Sequence, residues 1–285
     1  MPEKIDSDAL EKARADALAS DRSFSKNRLK NELRLKPKPD AEPVKELKNR
    51  FGTWCKIYRV ADCVPMRMPA EQPAQSPAQI AQRQRFGRES YLKSRRGKAG
   101  ARAADWLAGD TVFLDTETTG LGADDQIVEI AITDLVGAVV FESLVRPTVP
   151  VGAEAANVHG ITDAELASAP AWPGIADQVR DAVQGKTVVI FNEDFDGRML
   201  AQTADAHGAR PRWVDQIKSV CAMQLAADYY GATNRYGTIS LANALDAAGI
   251  GRVGDAHRAS GDAASTAALV KAISEAHKQR IGEAQ

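Results

Sequence analysis

Cysteine is scarce in this chain of 285 residues, and the scarcity excludes two architectures. Cys55, Cys63 and Cys221 form neither a disulfide framework nor a C-x-x-C metal pair. Each is expected as a reduced, partly buried thiol. Long apolar runs are also missing. No stretch approaches the ~20 uninterrupted apolar residues of a membrane helix, so no membrane partner is expected. Met1 to Ala19 is charged and helix-like and lacks the apolar core of a signal peptide. A cytoplasmic protein is the expectation. There is no internal repeat. The apolar fraction of 44% is ordinary for a soluble globular chain, and the length leaves room for one large domain or one domain with an appendage.

Net charge is nearly absent as well, −1 at pH 7, but that balance conceals an asymmetry. Met1 to Asp105 holds 24 Lys and Arg against 14 Asp and Glu; the remainder holds 13 against 24. A basic arm joined to an acidic domain suits a chain that meets phosphates with one part and metals with the other. Long solvated helices carry the same residues, so composition leaves both explanations open.

Residues 1–35 predict one or two polar helices with a thin apolar stripe at Leu10, Ala13, Ala17 and Leu18. Lys36 to Pro43 is a breaker. A small apolar patch follows at Phe51, Trp54, Ile57, Tyr58 and Val60, and Pro65 to Pro77 predicts a linker. Ile80 to Ala101 interleaves Arg83, Arg85, Arg88, Lys93, Arg95, Arg96 and Lys98 with Phe86 and Tyr91. Cations beside rings suit single-stranded nucleic acid, which offers phosphates and base faces together; a solubilising linker helix has the same composition. With no evident core, residues 1–105 are expected as an extension and linker, and 106–285 as the folded domain.

From Asp110 the character changes. Thr111–Thr116, Gln126–Asp134 and Ala138–Val145 predict three strands, the last two joined by a turn at Leu135-Val136-Gly137. Asp163–Leu166 and Pro173–Val183 predict helices, and Thr187–Phe191 a strand buried on both faces. A helix at Asp194–Ala206, a strand near Trp213–Ile217, and helices at Ser219–Tyr229, Leu241–Ala248 and Ser260–His277 complete the pattern. The fold class is a mixed α/β sandwich.

Phe113-Leu114-Asp115-Thr116-Glu117-Thr118-Thr119-Gly120 carries the first chemistry. Strand side chains alternate, so Asp115 and Glu117 emerge on one face. Two anions that close repel, and one takes up a proton unless a cation intervenes. Mg²⁺ or Mn²⁺ prefers such hard oxygens. Alone, D-x-E is better read as an acidic turn closed by Gly120. Two downstream pieces change the balance. Asn192-Glu193-Asp194-Phe195-Asp196 follows a buried strand, and His257-Arg258-Ala259-Ser260-Gly261-Asp262 opens the last helix. Such positions converge at one edge of a sheet.

DTETTG, N-x-x-F-D and H-x-x-x-x-D in this order, with Val158-His159-Gly160-Ile161-Thr162 between them, resemble the DnaQ-like family of 3′→5′ exonucleases, subclass DEDDh. The resemblance covers roughly Asp110 to His277. It implies a ribonuclease-H-like mixed sheet flanked by helices. It also implies two Mg²⁺ or Mn²⁺ ions held by Asp115, Glu117, Asp196 and Asp262, with His257 as general base. That role suits an imidazole neutral near pH 7. The backbone around Thr116 and Thr118 would contact the 3′-terminal nucleotide, Leu121 would wedge beside its base, and Asn192 and His159 would line the groove. A turn-capping role suits His159 equally well. Many family members carry His where this chain has Phe191, which is expected to end the buried strand. His207 and His277 are expected to face solvent.

The implied activity is hydrolysis of phosphodiester bonds from the 3′ end of single-stranded nucleic acid, DNA before RNA, of a proofreading or repair type. The rivals are an RNA-trimming exoribonuclease of the same fold, or a non-catalytic module binding nucleic acid or a polymerase through the basic arm. Little follows the last helix, so the N-terminal extension is the expected targeting device toward a polymerase or repair complex.

Overall fold

The computed structural model describes residues 7–48, 52–67, 76–208 and 210–282. They fall into two compact units, Met1–Ser76 and Pro77–Gln285. The first unit holds α1 (Ser7–Ala19), β1 (Ser23–Ser25), α2 (Lys26–Glu32), β2 (Leu35–Pro37), β3 (Lys45–Lys48), β4 (Trp54–Arg59) and β5 (Cys63–Pro65). Strands β1, β4 and β3 form an antiparallel sheet, and β2 pairs with β5. Ala17, Phe24, Leu29, Leu33, Leu35, Tyr58 and Val60 bury a core of their own. The expectation of a coreless extension is therefore corrected. Its apolar residues are spaced too far apart to show as one amphipathic run, and only the sheet collects them. The linker predicted at Pro65–Pro77 falls largely on residues 68–75, outside the described residues.

The second unit opens with α3 (Pro77–Lys93) and α4 (Arg95–Ala108). Ser94 separates them, its hydroxyl accepting from the Gly97 amide at 3.0 Å as an N-cap. A Cβ on Gly97 would lie 2.0 Å from the Tyr91 carbonyl oxygen, so only glycine lets the helices meet this closely. Helix α4 runs through residue 105 and buries Ala99 and Ala103 in the core of this unit. The predicted boundary at 105/106 thus falls inside a helix, and the unit begins at Pro77.

Strands β6 (Thr111–Thr118), β7 (Ile127–Thr133) and β8 (Val139–Leu144) form the expected antiparallel meander. Helices α5 (Ala153–His159), α6 (Asp163–Leu166) and α7 (Ala176–Val183) lead to β9 (Thr187–Ile190), which pairs parallel to β6. Then follow α8 (Glu193–Ala206), β10 (Ser219–Cys221), α9 (Ala222–Tyr230), α10 (Leu241–Ala248) and α11 (Ala259–Ile281). The sheet order β10-β9-β6-β7-β8 is the ribonuclease-H-like mixed sheet that the resemblance implies.

The two faces of β6 sort the core. Phe113 faces a layer that includes Ala99, Leu225 and Leu269, from α4, α9 and α11. Val112 and Leu114 face one that includes Val179, Met199 and Leu200, from α7 and α8. The strand predicted at Trp213–Ile217 is instead a 3₁₀ turn, Arg212–Gln216, with Trp213 packed near Trp172 at 6.2 Å between ring centroids. Pairing with β9 begins only at Ser219, so the helix predicted from Ser219 starts three residues later. Helix α5 was not predicted. His277 is corrected too: it is buried, and its Nδ1 lies 2.9 Å from the Tyr91 hydroxyl. His207 is half-buried at the end of α8.

Candidate active site

Asp115 and Glu117 stand at the C-terminal end of β6, on the face that receives α11. Asp262 lies in the first turn of α11. One carboxylate oxygen from each of these three residues lies within 4.8 Å of the others. Asp196, in the first turn of α8, comes from the opposite layer, and its Oδ1 accepts from the Thr116 hydroxyl at 2.7 Å. Because Thr116 points away from Asp115 and Glu117, this bond ties the second layer to the strand that carries the first two acids. A cleft of about 470 Å³ is lined by Asp115, Glu117, Asp196, His257 and Asp262 together with Thr116, Asn192 and Phe191.

The electrostatics match the crowding. Asp115 is pushed well above the usual carboxylate range, first by burial and then by Asp196, Glu117 and Glu129, with Arg252 opposing. Glu117 is pushed up to about 7 by burial, then by Glu129 and Asp196. Burial also raises Asp196 to about 7, against hydrogen bonds from Thr116 and backbone amides. Crowded acids with oxygens converging and open to a cleft fit a hard divalent cation, which would relieve their repulsion. Asp115, Glu117 and Asp262 would hold it, with Asp196 beside them.

His257 is exposed at the cleft with φ +58°, a left-handed conformation unusual outside glycine. Two features hold its loop there. A Cβ on Gly261 would lie 2.1 Å from the Asp255 carbonyl oxygen, so the loop closes over α11 only because residue 261 has no side chain. Next, Arg258 is gripped by Glu129, its Nε donating to the two carboxylate oxygens at 3.1 and 3.2 Å. Glu129 also accepts from the Ala259 amide at 2.8 Å, capping α11 from the neighbouring strand. Glu129 was missed from the sequence. Its signal is one carboxylate inside the apolar run Ile127-Val128-Glu129-Ile130-Ala131-Ile132. Arg252, equally unforeseen, ion-pairs with Asp262.

Of the residues expected to touch substrate, Thr116 and Asn192 line the cleft, whereas Thr118, Leu121 and His159 do not. Thr118 donates its hydroxyl to the Gly120 carbonyl at 2.8 Å. Leu121 is 78% exposed. His159 is buried; its Nδ1 accepts from the Ile161 amide at 3.0 Å, so its Nε2–H donates to the Thr118 carbonyl at 3.2 Å. Both ring nitrogens are thus engaged with backbone on either side of the turn. Phe191 packs against the core cluster at the cleft floor, as expected for the end of the buried strand.

A family model described as "Exonuclease", of the RNase T type, matches residues 112–270. An uncharacterized exonuclease of Escherichia phage 186, CP81, is 39% identical over 178 residues, 60% of this chain and 92% of that protein. DNA polymerase III subunit epsilon of Escherichia coli K12 is 36% identical over 95 residues, 30% of this chain and 39% of the subunit. Exonuclease X, solved in complex with 5′-overhanging duplex DNA, is 28% identical, covering 57% of this chain and 90% of that one, with a TM-score of 0.44.

Proposed function

Since the chain belongs to the RNase T-type exonuclease family, we propose that it is a metal-dependent 3′→5′ exonuclease acting on single-stranded DNA ends. The observation that carries this reading is the convergence of the Asp115, Glu117 and Asp262 oxygens within 4.8 Å at the mouth of a cleft that His257 also lines. The partial similarity to a DNA polymerase III subunit supports DNA over RNA, and a polymerase or repair complex as partner. The single-stranded 3′ end is the substrate partner.

Asp115, Glu117, Asp196 and Asp262 hold the cations in this reading. Two Mg²⁺ or Mn²⁺ ions, when bound, would activate the attacking water and stabilise the leaving oxygen of an in-line displacement. His257 takes the proton of the attacking water, and its exposure lets it pass that proton to solvent. Thr116 fixes the rotamer of Asp196. Asn192 offers an amide to the phosphodiester. Arg252 ion-pairs with Asp262 and would compete with a bound cation for that carboxylate.

The test uses 5′-labelled single-stranded DNA and RNA of one sequence with Mg²⁺, Mn²⁺ or EDTA, beside Asp115→Ala and His257→Ala. A metal-dependent ladder shortening from the 3′ end, absent in both variants, is expected, with the DNA strand degraded faster. A ladder on RNA alone moves the reading to an exoribonuclease. Neither ladder, with binding retained in EDTA, leaves a binding module.

A further inference from the structure

Beyond the cleft, residues 231–240 join α9 to α10, and four of them, Asn234, Thr238, Ile239 and Ser240, line the cleft wall. The tip, Arg235-Tyr236, stands outside that lining. Tyr236 is 74% exposed, whereas Tyr91 and Tyr229 of the same unit are buried. An aromatic ring left in water on a mobile loop would be unremarkable, but this turn is tightly built. The Asn234 side-chain oxygen accepts from the Tyr236 and Thr238 amides at 3.0 and 3.2 Å, and its amide donates to the Thr238 hydroxyl at 2.7 Å. The Thr233 amide donates to the Thr238 carbonyl at 2.9 Å. The guanidinium of Arg235 lies 4.8 Å from the Tyr236 ring centroid, and its Nη2 donates to the Tyr236 hydroxyl at 2.6 Å.

A rigid turn therefore holds an aromatic ring and a cation together in solvent, at the rim of a cleft built for a phosphodiester. We propose that Tyr236 stacks on an unpaired base of the strand entering the cleft, one or more nucleotides from the scissile bond, while Arg235 meets the adjacent phosphate. Any base has a π-face, so such a platform tolerates sequence and requires a single strand. The inference rests on the exonuclease reading for its substrate and extends it to a binding position outside the carboxylate site. Paired bases hide their faces in the duplex stack, so the platform favours frayed or single-stranded ends.

The test is fluorescence anisotropy of the full chain with fluorescein-labelled oligothymidylates of two and of twelve nucleotides, with Ca²⁺ replacing Mg²⁺. Tyr236→Ala is expected to weaken the twelve-nucleotide complex about tenfold. Tyr236→Phe keeps it within about twofold, Arg235→Ala weakens it less than Tyr236→Ala, and the dinucleotide binds all four proteins alike. Equal weakening at both lengths, or none, overturns the inference. Because Tyr236 is exposed, melting temperatures of the variants should match the parent, which separates a binding loss from misfolding. Nuclease ladders on the same preparations separate the two levels. Activity with unchanged twelve-nucleotide binding in Tyr236→Ala removes the platform alone. Length-dependent binding loss without activity in the parent supports the platform and removes hydrolysis.

Discussion

Removing either partner of the Glu129–Arg258 pair should cost unequal amounts, with the more exposed partner the more expensive to lose. Glu129 is 1% exposed and Arg258 45%. In Glu129→Gln the guanidinium turns to water, and the amide keeps one acceptor for the Ala259 N–H. What is lost is the difference between charge-assisted and neutral hydrogen bonds, about 2 kcal/mol. Part of that returns, because the repulsion that Glu129 exerts on Glu117 and Asp115 disappears. Arg258→Gln instead leaves a buried carboxylate with one backbone amide and two acidic neighbours, Asp115 and Glu117, and breaking a buried pair from that side costs about 3–5 kcal/mol. At about 2–4 °C per kcal/mol for a unit of this size, Arg258→Gln should melt several degrees below Glu129→Gln. Thermal melts and urea titrations of both variants and the double variant, in EDTA, supply the comparison. Both single variants should lower kcat as well, because Arg258 adjoins His257 and Glu129 caps α11. If Arg258→Gln proves the milder change, the backbone amide alone holds the carboxylate, and the guanidinium contributes nothing to the anchoring of the loop.

Three further outcomes follow from the same geometry. Glu117 and Asp196 are both raised to about 7, so the stability they contribute is full below the ordinary carboxylate range and is lost as pH climbs through about 7. Metal-free protein should therefore be less stable at pH 8 than at pH 5, by on the order of 3 kcal/mol, and Mn²⁺ should raise the melting temperature more at pH 8; a metal effect independent of pH counts against a shared cation site. Gly261→Ala places a methyl against the Asp255 carbonyl and should destabilise by about 1–3 kcal/mol while displacing His257, so that kcat falls more than KM rises in nuclease kinetics. Deleting residues 1–76 removes one self-contained core and should leave the second unit folded with a flatter salt dependence of DNA binding, whereas deleting 1–105 also removes buried Tyr91, Ala99 and Ala103 and should abolish cooperative melting.

The sequence made the sheet and its acids legible because both depend on short-range rules. Asp115 and Glu117 share a face by strand alternation, and the nearly all-apolar run from Thr187 identifies β9 before any neighbour is known. Glu129 was illegible because its partner is 129 residues away and its strand reads as apolar. His277 misled for the converse reason: its neighbours in sequence are polar, and only the crossing of α4 and α11 buries it. Likewise Gly261 showed as a spacer between His257 and Asp262, whereas its role is to let the loop's backbone approach the helix. Local pattern reports faces and periods; it carries no information about which distant group arrives on them.

The placement of the four acids along the chain has a consequence for how this protein is made. Asp115 and Asp262 sit on elements that touch only after the chain between them has been laid down and folded, with α11 docking on β6 and β7 last in chain order. The meander β6–β8 can form early from local pairings, but the cleft cannot close until the final helix arrives. A growing or interrupted chain that lacks α11 therefore presents folded strands and an acidic cluster without Asp262. A nuclease assembled in this order has no complete acidic cluster until α11 has been made and has docked on the sheet.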